Sequence, residues 1–136
     1  MSPTTTIEVI PEITFASGLP AFPEARRFAI VQWGGEGSPF SLLRSVDDPD
    51  LTFVVTHPII FFPDYAPEID DESAARIGLE DPDDALVLVI LTLGNAPSDA
   101  TANLLGPIVI NQKTSEAIQA VLMDPQYDVR TPLTAQ

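Results

Sequence analysis

Fourteen prolines are spread along the 136 residues. Each removes a backbone N–H and fixes φ, which disfavours a helical bundle and favours short strands joined by loops. The apolar residues between them agree. Ile7–Phe15 is apolar at Ile7, Val9, Ile13 and Phe15, the alternation of a strand with one buried face, and Pro11 places it at an edge or a bulge. Phe28–Trp33 reads as a short strand ending at the Gly34-Gly35-Glu36-Gly37 turn. Phe40–Val46 ends at Asp47-Asp48-Pro49-Asp50, where short acids accept local backbone bonds and Pro49 sets φ. Leu51–Thr56 is β-branched and apolar and stops at His57-Pro58; Ile59–Phe62 is wholly apolar and stops at Pro63. Ala85–Leu93 is the strongest strand, an unbroken Val/Ile/Leu/Thr run suited to a central position covered on both faces. Pro107–Asn111 is a further strand.

Two segments have helical features. Asp71–Leu79 carries its acids at the start, where the helix dipole favours them, and Ala74, Ala75 and Ile77 in the middle. Thr114–Met123 has two readings: Ala117, Ile118, Val121 and Leu122 suit one helix face, while the same residues also form a strand. Roughly seven or eight short strands at this spacing favour an all-β barrel or sandwich. The length fits a single domain over residues 1–136, with 1–6 and 131–136 expected to fray. An apolar content of 45% sustains a core despite the net charge of −14.

That charge narrows the function. Twenty acids face six bases, and twelve of the acids lie between Asp47 and Asp84, opposed only by Arg76. Such a field repels phosphate backbones and anionic lipid, so direct binding to nucleic acid or a membrane is not expected. It attracts a basic protein and speeds their encounter. No cysteine is present, which removes thiol nucleophiles and cysteine-bound zinc. The N-terminus lacks the basic and apolar regions of a secretory signal, and the apolar runs are too short to span a bilayer; a cytoplasmic location is expected.

The catalytic inventory is poor. His57, the sole histidine, ends an apolar run before a proline and reads as a strand-end residue. The Asp47–Asp50 and Asp81–Asp84 clusters lack the spaced calcium-loop pattern and read as Asx/Pro turns. The glycines of residues 34–37 lack the lysine and spacing of a phosphate loop. No catalytic residue, cofactor or metal is assigned, and the chain is read as a binding protein and not an enzyme. Phe61 and Phe62, adjacent in an extended segment, point to opposite faces, which makes one of them a candidate exposed anchor.

Several stretches in order carry a resemblance: Gly18-Leu19-Pro20-Ala21-Phe22, Pro39–Ser45, Asp47–Val55, Pro58, Asp64-Tyr65, Thr101–Asn111, Gln119–Leu122 and Tyr127–Arg130. With them the chain resembles the flagellar assembly factor FliW family over nearly its whole length. It departs at Arg44, where the family often has Gln, and in the turn Lys113–Ala117. The resemblance implies a small antiparallel β barrel with at most short helices, and so a turn and strand over Thr114–Leu122. It implies a non-enzymatic regulator that binds the translational repressor CsrA, relieving repression of flagellin mRNA, and binds flagellin as a chaperone, the two partners competing for it. A monomer is expected. Candidate contacts are Asp47, Asp48, Phe62, Asp64 and Tyr65, with Asn103, Leu104 and Asn111 as a second patch. The competing reading is an acidic nucleic-acid mimic that blocks another protein's basic groove.

Overall fold

The Ala85–Leu93 run forms the central strand, Ala85–Thr92, and organises the rest. Its alternate side chains enter two cores: Leu86, Leu88 and Ile90 point into one, Val89 and Leu91 into another. The computed structural model describes residues 12–15, 18–19, 22–34, 37–48, 50–95 and 99–133. In chain order these form β1 (Ile13–Phe15), β2 (Arg27–Trp33), β3 (Phe40–Ser45), β4 (Thr52–Thr56), α1 (Pro58–Phe61), α2 (Asp71–Arg76), a 3-10 turn (Pro82–Asp84), β5 (Ala85–Thr92), β6 (Thr101–Ala102), β7 (Ile108–Asn111), β8 (Glu116–Gln119) and β9 (Thr131–Pro132). The expected strand at Ile7–Phe15 is described only from Glu12 on; its first part lies outside the described residues.

The strands run in the order β9-β6-β5-β4-β3-β2-β1-β8-β7, and β7 returns to β5. Seven strands, β5, β4, β3, β2, β1, β8 and β7, thereby close into a barrel. Closure pairs both edges of the barrel strands, which would otherwise template aggregation. The expected barrel is present, with one difference: β1 and β8 run parallel, Thr14 beside Glu116 and Phe15 beside Ala117. The other pairings are antiparallel.

Inside the barrel lie Ile13, Phe15, Leu19, Phe28, Leu43, Val55, Leu88, Ile108, Ile110 and Ala117. The two readings of Thr114–Met123 resolve in favour of the strand. Ser115 takes φ 63 and closes the turn, after which Ala117 faces the interior and Ile118 packs outside with Val109 and Ile77. Period-2 burial on a barrel wall outweighs the helical spacing.

Residues 57–84 wrap the outside as a strap. Ile59–Phe62 is not extended. Pro58 suits the first helical turn, and the Phe62 amide donates to the Pro58 carbonyl at 2.7 Å. α2 starts at Asp70, whose carboxylate accepts from the Ser73 hydroxyl and amide. Those bonds hold the Asp70 carboxyl below its ordinary pKa. The cap therefore contributes fully above the usual carboxylate range and is lost as pH falls through that lowered value.

The strap is fastened by Asn111, which is 2% exposed. Its Nδ2 donates to the Ile77 carbonyl at 2.8 Å and its Oδ1 accepts from the Lys113 amide at 2.9 Å. Asn111→Ala leaves both backbone groups without partners. The expected loss is about 2 kcal/mol in urea unfolding, with an unchanged denaturant slope.

Of the segment 131–136, expected to fray, residues 131–133 are described and are held in place. Thr131 and Pro132 pair with Ala102 and Thr101, and the Leu133 amide donates to Ala100. Leu133 is buried among Ala100, Ala102 and Leu104, and that apolar burial holds the end. Residues 1–6 and 134–136 lie outside the described residues.

Candidate functional site

The sequence-predicted contacts fall in three places. The first is the β3–β4 turn. The buried Ser45 hydroxyl accepts from the Asp48 amide at 3.1 Å, and Leu51 donates to the Asp48 carbonyl. The turn is thus held by a serine that sequence reasoning overlooked, and Asp47 and Asp48 project outward. Asp47 pairs with Arg27 at 2.5 Å. That hydrogen bond, followed by the charges of Asp47 and Glu12, pushes the guanidinium above its already high pKa. Asp47 and Asp48 rim a cleft of about 420 Å³ whose other walls include Phe22, Ala25 and Leu51. Apolar walls under carboxylates fit an aliphatic or aromatic side chain flanked by a basic one.

The second place gathers Phe62, Asp64, Tyr65, Asn103 and Leu104. The strand β6 continues toward β7 along one edge of β5, yet residues 103–107 stand opposite only Val89 and Ile90. The surplus bulges out of the sheet. It is fixed from several sides. Asn103 Oδ1 accepts from the Leu105 amide, the Leu104 amide donates to Asp128, and Gln119 Nε2 donates to the Gly106 carbonyl. A side chain at Gly106 would lie 2.8 Å from that same Gln119 nitrogen, so the close approach uses the glycine.

The Tyr65 hydroxyl donates to the Leu104 carbonyl at 2.7 Å, and its ring meets Tyr127 edge to face at 4.8 Å. Burial, then the neighbouring Tyr127, raises the Tyr65 pKa, so the phenol stays a donor. Phe62 and Leu104 pack in this same cluster, and Leu104 is 4% exposed. Asp64 is exposed. Asn111 is in neither group: it sits at the end of β7, under the strap.

The expected exposed anchor at Phe61 or Phe62 is corrected. The helical turn half-buries both and turns Ile59 and Ile60 to solvent instead. Sequence reasoning also missed a third surface on the outer face of β2 and β3. Phe28 and Ile30 face the interior, so Val31 and Trp33, on the opposite parity, face out. Trp33 lies 6.3 Å from Phe40, which stacks on Phe61 at 5.9 Å. The signal was present in the sequence, since that strand is apolar on both parities.

The other charged clusters are structural. Asp81 accepts from the Asp83 amide in the expected Asx/Pro turn, and Asp84 pairs with Lys113 at 3.4 Å. Among the described residues no group of three or more His, Asp or Glu side chains is placed to hold a metal ion. No helix among them is long and apolar enough to cross a membrane.

Comparison with known proteins gives a consistent answer. The family profile described as FliW protein matches residues 3–133. The flagellar assembly factor FliW of Treponema denticola is 40% identical over 124 residues, covering 91% of this chain and 83% of the relative. That of Bacillus subtilis is 39% identical over 121 residues, covering 89% and 84%. A crystal structure of the flagellar assembly factor FliW superposes with a TM-score of 0.85 at 30% identity, covering 98% of this chain and 91% of the other. Barrel, strap and sequence agree, and the chain belongs to the FliW family of flagellar assembly factors.

Proposed function

We propose that the protein is a non-enzymatic cytoplasmic regulator that binds CsrA and flagellin in turn. Bound CsrA no longer represses flagellin mRNA; newly made flagellin competes for the protein and frees CsrA. Two ligands that exclude each other on one protein set each other's free concentration by linkage. The observation that carries this reading is the placement of the acids. Asp47, Asp48, Asp64, Glu68, Asp71, Glu72, Glu80 and Asp83, all on the β3–β4 turn and the outer strap, are exposed to solvent. An RNA-binding repressor is basic, and a field of this sign accelerates its approach.

The test is calorimetry with purified CsrA and flagellin from the same organism, at low and moderate salt. Binding at micromolar affinity or tighter is expected for each, with flagellin displacing CsrA and bulk RNA not bound. No complex with either partner sinks the proposal. Direct competition of RNA for the protein's site on CsrA would favour the nucleic-acid mimic instead. Neutralising Asp48 and Asp50 to Asn is expected to slow association with CsrA by about threefold or more at low ionic strength, an effect that fades as salt screens the field. Stopped-flow mixing at two salt concentrations measures it.

A further inference from the structure

The outer wall of the barrel is mostly covered. Val54, Val89 and Leu91 lie beneath Phe61, Phe62, Tyr65 and the C-terminal segment. One part of the wall is left open. Trp33 is 40% exposed and begins a row of rings that continues through Phe40 to Phe61, with centroid steps of 6.3 and 5.9 Å. Ile59 and Ile60, on the outer side of α1, are 64% and 52% exposed. Beside the row a cleft of about 330 Å³ is walled by Trp33, Phe40, Leu93, Ala100 and Leu133. Leu93 is half exposed. In a chain with a net charge of −14, an exposed apolar row next to an apolar cleft marks a contact surface.

We propose that this row and its cleft dock the apolar face of an amphipathic helix supplied by a basic partner protein. The proposal rests on the reading of the protein as a protein-binding regulator and says where and by what chemistry one partner is held. Three observations select a helix of that kind. The first is length: anchors at i, i+3 or i+4 and i+7 of a helix span about 10 Å, the scale of the two ring-to-ring steps. The second is that, among the described residues, no adjacent edge suits an added strand. The outermost strand, β9, has two residues, and one of them, Pro132, has no N–H to donate. The third is charge. Asp64 follows α1 on one side, and the Asp99 side chain packs against Gly94 in the cleft wall on the other. Among the described residues no lysine or arginine lines the cleft. Carboxylates beside an apolar floor complement Lys or Arg on the helix flank.

Trp33 is the sole tryptophan, so its fluorescence reports on this surface alone. The probe is a synthetic Leu/Lys peptide of helical periodicity, with a composition-matched scrambled peptide as its control. Titration with the helical peptide is expected to shift Trp33 emission to the blue, saturably, while the scrambled peptide does not. Ile60→Asp and Leu93→Asp, both at exposed positions, are expected to weaken binding about tenfold or more with unchanged melting temperature. Met123→Asp, at an exposed position outside the row and its cleft, leaves the titration unchanged.

Equal response to the scrambled peptide, or unaltered binding by both variants, overturns the proposal. So does a blue shift that grows with protein concentration alone, which would assign the surface to a second copy of the chain. The assay contains neither CsrA nor flagellin. Their failure to bind would remove the function proposed above and leave this result standing.

Discussion

Gly18→Ala is expected to lower the melting temperature by about 10 °C or more, or to abolish soluble expression. Two costs combine. Gly18 has φ +70, where a Cβ costs about 1–2 kcal/mol. A Cβ built there also lies 2.2 Å from the Pro23 carbonyl oxygen and 2.5 Å from its carbon. These are backbone atoms of the same loop, and no side-chain rotation relieves the contact. The loop must open, and with it goes Leu19, which is 2% exposed in the barrel interior and tied to Phe22 by a reciprocal pair of backbone bonds. Gly37→Ala supplies the control. It has φ +80 but nothing within 4 Å of the added carbon, so only the conformational cost of about 1–2 kcal/mol applies. Equal melting temperatures for the two variants would refute the steric argument.

Phe28→Ala is expected to cost about 3–5 kcal/mol, a large share of the roughly 5–15 kcal/mol that holds a domain folded. Phe28 is fully buried, meets Phe15 edge to face at 5.4 Å and lies 6.4 Å from Phe53. Its backbone is fixed on both sides, opposite Ile13 and Ser45. Neither neighbouring strand is free to collapse into the space, so a cavity remains. Trp33→Ala, a larger truncation on the same strand, is expected to cost about 1 kcal/mol or less because its ring faces outward. Urea unfolding of the two variants compares the faces directly. A costlier Trp33→Ala would mean that the open row contributes to folding and not to binding.

That contrast also explains how far the sequence could be read. β2 through β5 are legible because each has a buried parity and a turn signal at its ends. The Asp81–Asp84 turn and the start of α2 were legible because their mechanisms are local, an aspartate oxygen accepting a nearby amide in the one and acids at the positive end of the helix dipole in the other. α1 was not: a four-residue apolar run carries no period, and only the single turn after Pro58 makes it helical. The parallel pairing of β1 with β8 left no trace, since its two members are far apart and each looks like any edge strand.

The candidate site was legible in its charge. The acids of the β3–β4 turn and strap are exposed, as their density implied. It was less legible in its apolar part. Leu104 and Asn111 attract notice by their residue types, yet both are buried, one under the Tyr65 hydroxyl and the other under the strap. The exposed apolar residues, Trp33, Ile59 and Ile60, depend on which way a strand and a single helical turn face, and tertiary packing decides that.

The β1–β8 pairing has a consequence for the birth of the protein. Thr14 waits for Glu116, about a hundred residues later, and only then is the ring sealed. At typical rates of chain elongation that interval is about 5–20 seconds. Once β5 is made and until β7 and β8 follow, β1 and the β7-facing side of β5 are open margins among the described strands, the geometry most prone to sticking to a neighbouring nascent chain. The acids of residues 47–84 emerge from the ribosome within that interval. Their mutual repulsion between chains on one message would keep the half-built sheets apart, so the charge we propose for meeting a basic partner would also guard the unfinished protein.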